Sequence, residues 1–394
     1  MSVNRKFDII VYGASGYTGR LVCEYLNNQY GVNGEVKWAM AGRSRDKLEQ
    51  VRDEIGVPAA VPFVIADADN ADSINAMVAT TKVVITTVGP YQLYGSDLVA
   101  ACAAAGTDYV DLCGEPAWMH DMIASHRAVA QASGARIVFS CGFDSIPFDL
   151  GVVFLQQKAM EKFDAPMTRV KGRVKTMKGG FSGGTLASLK ATMAAAAKNP
   201  NVTKVMMSPF ALTEGVAGAE QPSGAAPVFD DDLNSWSAPF VMATINTKNI
   251  HRSNFLLDHV WGKDFVYDEM LLTGPGEQGE ATANAVAADK SMAASTLKPG
   301  DGPTKEEREN GFYEVLFAGS NARGQRLTVS VKGDKDPGYG STSKMIAESA
   351  VCLLRNPDAA TGGIWTAGAA MGALLIDRLQ AHAGLSFRLL GTEE

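Results

Sequence analysis

The chain has 394 residues, 46% hydrophobic and 20% charged, the make-up of a folded globular protein with material for two cores. Its formal charge of -7 excludes nucleic acid as the main partner, because backbone phosphates demand a basic surface. Five scattered cysteines, Cys23, Cys102, Cys113, Cys141 and Cys352, form no CxxC pair; this excludes a disulfide framework and a zinc site and fits a reducing compartment.

The polar start, Met1 to Lys6, has no signal-peptide core, so a cytoplasmic location is expected. Residues 7–12 are an apolar run that ends at glycine. A helix is expected over 18–29, with Leu21, Val22, Tyr25 and Leu26 on one face. Residues 36–41 read as a second strand. Ser44 caps a helix that carries Leu48, Val51 and Ile55 at helical spacing. Strands at 62–66, 82–87, 108–112 and 135–141 alternate with helices around Ile74–Val78, 96–105 and 118–132. Strands that are apolar on both faces and alternate with helices predict an α/β fold on a doubly wound parallel sheet. This first, Rossmann-type domain is expected to span 1–145.

Gly142-Phe143-Asp144-Ser145-Ile146-Pro147 breaks that rhythm. A helix over 148–160 and a strand over 168–177 with one solvated or ligand-facing side follow. An Ala-rich helix over 185–198 ends before Asn199-Pro200. Residues 213–237 lack periodicity and read as a long loop or lid. Strands are expected at 265–272, 312–318 and 326–332, the last two as a hairpin around 319–324. The pattern predicts a second α+β domain over 146–340 on a mixed or antiparallel sheet. Helices at 341–354 and 365–380 place 341–394 back on the first domain. The apolar stretch 362–376 is too short to span a bilayer. A buried or interface helix is expected there, against its own domain or a twin in a homodimer; contact with a membrane surface is the alternative.

Gly13-Ala14-Ser15-Gly16-Tyr17-Thr18-Gly19 joins the first strand to the first helix. In that context small residues let backbone N–H groups approach a pyrophosphate, and the helix start adds positive charge. The second strand ends Ala41-Gly42-Arg43-Ser44, without the carboxylate that grips an unphosphorylated ribose. Arg43 suits a 2′-phosphate, with Ser44 and Lys47 assisting, so NADP(H) is the expected cofactor. Asp67 stands where it would meet the adenine edge. Val88, Gly89 and Pro90 are expected beside the nicotinamide ribose.

Candidate proton donors should lie at the carboxyl ends of strands. Tyr91, Glu115 and Asp144 qualify, with structural roles competing at each. The run Lys178–Thr185 offers helix-start N–H groups for a substrate anion or for the carboxamide, and a flexible joint is its plain alternative. His251 lies near Arg252 and would meet substrate only if it faced the cleft. No histidine or carboxylate spacing suggests a metal.

Together these segments resemble the saccharopine dehydrogenase-like oxidoreductases, most closely the bacterial branch of trans-acting enoyl reductases. The matching stretches include Val11–Arg20, Ala41–Ser44, Val88–Tyr91, Asp111–Glu115, Cys141–Pro147, Ser182–Thr185 and Gly362–Leu385, so the resemblance covers nearly the whole chain. It implies a Rossmann domain, a second domain on a mixed sheet, NADPH, and reduction of a C=C or C=N bond. The branch implies a lipid or polyketide enoyl substrate. Imine reduction on an amino-acid-derived substrate is the enzymatic rival; it would need clustered arginines, and Arg169, Arg173, Arg252, Arg308, Arg323 and Arg326 are scattered in sequence. The apolar regions Val205–Phe210 and Phe240–Met242 favour an apolar or acyl small molecule. No tyrosine has lysine four positions on, which sets aside the short-chain dehydrogenases. A sensor that holds NADPH without catalysis is the non-enzymatic rival.

Overall fold

The computed structural model describes residues 5–32, 34–298 and 300–393; Met1–Asn4 of the polar start lie outside them. The first unit runs β1 (Phe7–Tyr12), α1 (Tyr17–Tyr30), β2 (Trp38–Gly42), α2 (Arg45–Glu54), β3 (Phe63–Ile65), α3 (Ala71–Val78) and β4 (Thr81–Thr86). It continues with α4 (Tyr91–Tyr94), α5 (Ser96–Ala105), β5 (Asp108–Val110), α6 (Pro116–Ser133) and β6 (Arg136–Val138). In β1, Ile9 and Val11 pack into one core with Val22 and Leu26. Ile10 and Tyr12 pack into another with Ile74, Met77 and Leu98. Burial of both faces is what a strand covered by helices on each side requires.

The second unit runs α7 (Ile146–Phe163), β7 (Arg169–Lys178), α8 (Gly183–Lys198), α9 (Pro200–Met207), β8 (Val228–Asp230), β9 (Ser235–Pro239), α10 (Ala243–Leu256) and β10 (Val266–Gly274). Then come α11 (Gly276–Ala288), α12 (Ser291–Ala294), α13 (Lys305–Glu309), β11 (Phe312–Ser320), β12 (Arg326–Gly333) and a π-helical turn, Pro337–Ser341. The chain ends with α14 (Thr342–Arg355), β13 (Gly363–Trp365), α15 (Ala367–His382) and β14 (Leu385–Glu393). The first sheet has the order β13-β6-β5-β4-β1-β2-β3 and its pairings are parallel. The second has the order β14-β12-β11-β7-β10-β9-β8. Only β7 and β10 pair in parallel in it, so it is mixed.

Several elements differ from the sequence expectation. The end of the expected loop over 213–237 forms β8 and β9 at the edge of the second sheet. Trp365 belongs to β13, not to the helix after it; Thr366 caps α15 instead, its side chain accepting from the Ala369 N–H. The polar stretch around His251 and Arg252 forms α10, and Asn246, Lys248, Asn249, His251, Arg252 and Ser253 are all buried in it. The last segment serves both sheets. α14 packs on α1, β4 and β5, and β13 extends the first sheet beside β6. β14 closes the edge of the second sheet beside β12.

α7, α14 and α15 lie between the sheets, so one core runs from Ile9 and Val83 through Met345 and Leu375 to Phe317 and Val329. Gly151 in α7 lets the Phe317 ring approach; a Cβ there would lie 2.3 Å from it. In the 362–376 stretch, Ile364, Ala367, Met371, Leu375 and Ile376 are buried. That burial corrects the alternative of membrane contact there and removes most of the apolar face a twin would need. No helix among the described residues is long and apolar enough to cross a membrane.

Glu348 ties this middle layer together. It is fully buried, and its Oε1 accepts from the Tyr25 and Tyr30 hydroxyls at 2.7 Å each. The Arg378 Nε lies 2.5 Å from its Oε2. The Glu348→Ala substitution takes the carboxylate from a largely enclosed guanidinium and an acceptor from two phenols, and should lower unfolding free energy by about 3–5 kcal/mol. Urea denaturation measures this; Glu348→Gln, which keeps an acceptor, should lose less.

Candidate functional site

The site begins with a backbone constraint. Gly13 follows β1 with φ +89°, a conformation that suits glycine. A Cβ on Gly19 would lie 2.1 Å from the Gly13 carbonyl oxygen, so β1 and α1 can approach this closely only without side chains. Gly16 is the N-cap of α1 and supplies no side-chain cap. The first-turn N–H groups of α1 therefore face outward without intrahelical partners, as an anion requires. Ser15 sits by the end of β2, its Oγ 3.7 Å from where a Gly42 Cβ would stand.

Arg43 is exposed at the tip of β2 and forms no ion pair with the described residues. Ser44 caps α2 by accepting from the Lys47 N–H at 3.4 Å, and the Lys47 side chain is exposed. Asp67 is half-buried after β3, with its Oδ1 accepting from the Asp69 N–H. Arg43 and Asp67 both face Tyr12, whose phenol is pushed up to about 12, by burial first and then by Asp67. The residues fit a phosphorylated dinucleotide: a glycine cradle that a Cβ would fill, an open helix start and an uncommitted guanidinium.

The Tyr17 backbone belongs to that helix start, but its side chain points to the second unit. Its hydroxyl donates to the Pro303 carbonyl and accepts from Arg308 Nη1 at 2.9 Å. Its ring meets Tyr339 edge-on at 5.1 Å.

Beyond the glycine turn, the carboxyl ends of β4, β5 and β6 open onto a cavity of about 340 Å³, the crevice where open α/β sheets bind ligands. Thr18, Thr87, Gly89, Leu112 and Asp144 line one side. Met177, Phe181, Leu189, Phe240, Met242, Ile245 and Tyr339 line the other. Val88 N–H donates to Thr86 Oγ1 at 3.3 Å, and a cis peptide joins Gly89 to Pro90. A Cβ on Gly89 would stand 3.8 Å from Ser188 Oγ in α8, so the loop after β4 faces the second unit.

The three candidate donors differ sharply. Tyr91 is 5% exposed; its hydroxyl donates to the Thr86 carbonyl at 3.3 Å and accepts from the Leu112 N–H at 3.1 Å. Glu115 is 2% exposed and accepts from the Tyr91 and Gln92 N–H groups and the Gln92 side chain, each at 2.9 Å. Both edge the cavity, but their polar atoms are committed to bracing the strand-end loops. Asp144 differs. Its carboxyl is half-buried against the cavity, and burial alone pushes it up to about 7. Asp111, which burial also raises to about 7, is by contrast pinned by Cys113 N–H, Ser140 N–H and the Tyr109 hydroxyl.

Other expectations change. In the 178–185 run, the Ser182 N–H is taken by the Tyr339 hydroxyl at 2.5 Å, the Gly183 N–H by the Asp301 carbonyl and the Thr185 N–H by Ser182 Oγ. These groups join α8 to its own unit, so they do not form the expected anion site. His251 is buried between Phe210 and Phe265, and burial lowers it to about 4; it is a core residue. Arg169 and Arg173 pair with Asp268, Arg173 also with Asp230, Arg252 with Glu214 and Arg326 with Asp232. No Arg, Lys or His lines the cavity among the described residues, and none of their His, Cys, Asp and Glu side chains cluster to hold a metal. Phe240–Met242, which stands out in sequence as apolar, lines the cavity; Thr244, Ile245 and Tyr339, which line it too, escape sequence reasoning.

The saccharopine dehydrogenase NADP binding domain family matches residues 9–138. A Mycobacterium tuberculosis protein provisionally named a trans-acting enoyl reductase is 38% identical over 98% of this chain and 97% of its own. The trans-acting enoyl reductases of Mycobacterium bovis and Mycobacterium ulcerans are each 34% identical, over 95% and 96% of this chain and 96% of theirs. Apo histidine-tagged saccharopine dehydrogenase (L-Glu forming) from Saccharomyces cerevisiae shares the fold, with a TM-score of 0.56 over 98% of this chain and 100% of that one, at 10% identity.

Arg43→Ala should weaken NADPH binding about 10- to 100-fold through loss of a charge-assisted contact and leave NADH binding nearly unchanged. Titration calorimetry with both dinucleotides reads the ratio.

Proposed function

The chain belongs to the trans-acting enoyl reductases, a branch of the saccharopine dehydrogenase-like NADP-dependent oxidoreductases, and from that membership we propose that it reduces an enoyl C=C bond on an apolar acyl chain held in the cavity between its two units. The observation that carries the substrate class is the lining: largely apolar walls with no cation among the described residues. An amino-acid-derived imine would bring carboxylates, and burying them without a guanidinium is costly. An acyl chain needs no such counter-charge.

In this reading, residues 1–145 hold the dinucleotide. The backbone of Gly13–Gly19 receives the pyrophosphate, Arg43 with Ser44 and Lys47 the 2′-phosphate, Asp67 the adenine edge and Val88–Pro90 the nicotinamide ribose. NADPH, once bound there, would supply the hydride that the β-carbon of the enoyl group takes up. Residues 146–340 hold the acyl chain and, with Phe181, Phe240 and Met242, exclude water from it. Asp144 is the proton donor. Its carboxyl keeps a proton near neutrality because burial disfavours the charged form, and it delivers that proton to the α-carbon. The product gains one hydrogen at each carbon. Tyr91 and Glu115 act as positioning residues: they hold the loops after β4 and β5 so that the cavity keeps its shape.

NADPH consumption, followed by absorbance, should be seen with long-chain 2-enoyl thioesters and not with amino-acid imines; the opposite order overturns the acyl reading. Asp144→Asn should lower kcat about 100-fold or more, the usual scale of a lost acid, with little change in KM. Wild-type kcat should fall as pH rises through about 7, where Asp144 ionises, and the variant should lose that inflection. Stability gives an independent readout. An acid raised from 3.8 to about 7 on folding stabilises the fold fully only below its unfolded pKa, and that contribution is lost as pH rises to 7. Asp144→Asn should therefore melt above wild type at pH 8.

A further inference from the structure

Residues 165–213 contain eight Lys and Arg and no Asp or Glu, in a chain whose net charge is -7. Arg169, Lys171 and Arg173 pair with aspartates, and Lys175 with Glu314. Lys178, Lys190, Lys198 and Lys204 have no acidic partner among the described residues. All but the first lie on the helix pair α8–α9. These helices are barely covered by their own protein: α8 buries only Gly183 and Leu186, and α9 buries nothing. Met207 is 80% exposed and Met193 56%. They adjoin Met206 and Thr192, which line the cavity. Phe181 and Val241 do both: they line the cavity and are exposed. The lip of the cavity thus adjoins projecting apolar side chains and four lysines without an acidic partner among the described residues.

We propose that this lip is a docking surface for an anionic lipid bilayer. Met193, Met207 and Phe181 would enter the boundary between headgroups and acyl chains, and the lysines would lie at the level of the phosphates, their stems along the apolar layer and their ammonium groups outward. Charge complementarity selects anionic lipid: each such lysine gains from the negative surface potential, and the gain is screened by salt. The chain's acidic remainder would be repelled, which fixes the orientation with the cavity mouth down. An apolar substrate could then pass from bilayer to cavity without crossing water.

The test is co-sedimentation of the full chain with vesicles of phosphatidylcholine alone and of phosphatidylcholine with phosphatidylglycerol. It uses no enoyl substrate, so it stands or falls apart from the reductase reading. Binding is expected to the anionic vesicles only, and to fall steeply between low and high salt. Lys198→Glu with Lys204→Glu should weaken it about tenfold or more. Met193→Ser with Met207→Ser should weaken it while leaving the charge alone. NADPH affinity, unchanged in each variant, reports that they fold. No binding to anionic vesicles, equal binding by the charge-reversed variant, or association only with an acidic protein that these vesicles do not displace would each overturn the proposal.

Discussion

A carboxyl group without a counter-charge, held where two sheets meet, is the constraint from which the chemistry follows. Water stabilises an ionised Asp144 far better than an apolar wall does. The cavity's lining supplies neither a cation nor a hydrogen bond that lowers the group, so the proton stays on to near-neutral pH. The fold creates this setting by placing Asp144 just beyond the last strand of the dinucleotide unit, at the entry to α7, which carries the chain into the second.

No cation among the described residues lines the cavity, because those nearby are used elsewhere. In the second sheet, Arg169, Lys171 and Arg173 of β7 are balanced by Asp230, Asp232 and Asp268. Arg252 is buried against the Leu212 and Ile364 carbonyls. Lys248 is buried and donates to the Met206 and Thr244 carbonyls at 2.8 Å each, with burial lowering it to about 8. These groups hold the walls in place while contributing no charge to the space inside. The same division separates Tyr91 and Glu115, whose polar atoms are committed to neighbouring loops, from Asp144, whose are not.

Much of the dinucleotide unit is legible in sequence because its signals are local. The glycine turn, the Ser44 cap and the strand–helix alternation each depend on residues a few positions apart, and so does the β11–β12 hairpin. What was not legible depends on distant partners. The α10 stretch is polar in composition and becomes a buried helix because Ser145, Asp149, Leu212, Glu269 and Ile364, far along the chain, satisfy its side chains. β13 and β14 are strands only because β6 and β12 offer open edges. The commitment of Glu115 to Tyr91 and Gln92 spans more than twenty residues. Asp144 stands out as a candidate in sequence from its place after a strand, but its freedom from partners, which distinguishes it from the other two candidates, appears only in three dimensions.

The protonation of Asp144 can be read directly by infrared difference spectroscopy, comparing wild type with Asp144→Asn across pH. The account predicts a carboxylic acid C=O band, present in wild type and missing in the variant, that fades as pH rises through about 7. An Asp144 already ionised at pH 5 would contradict it.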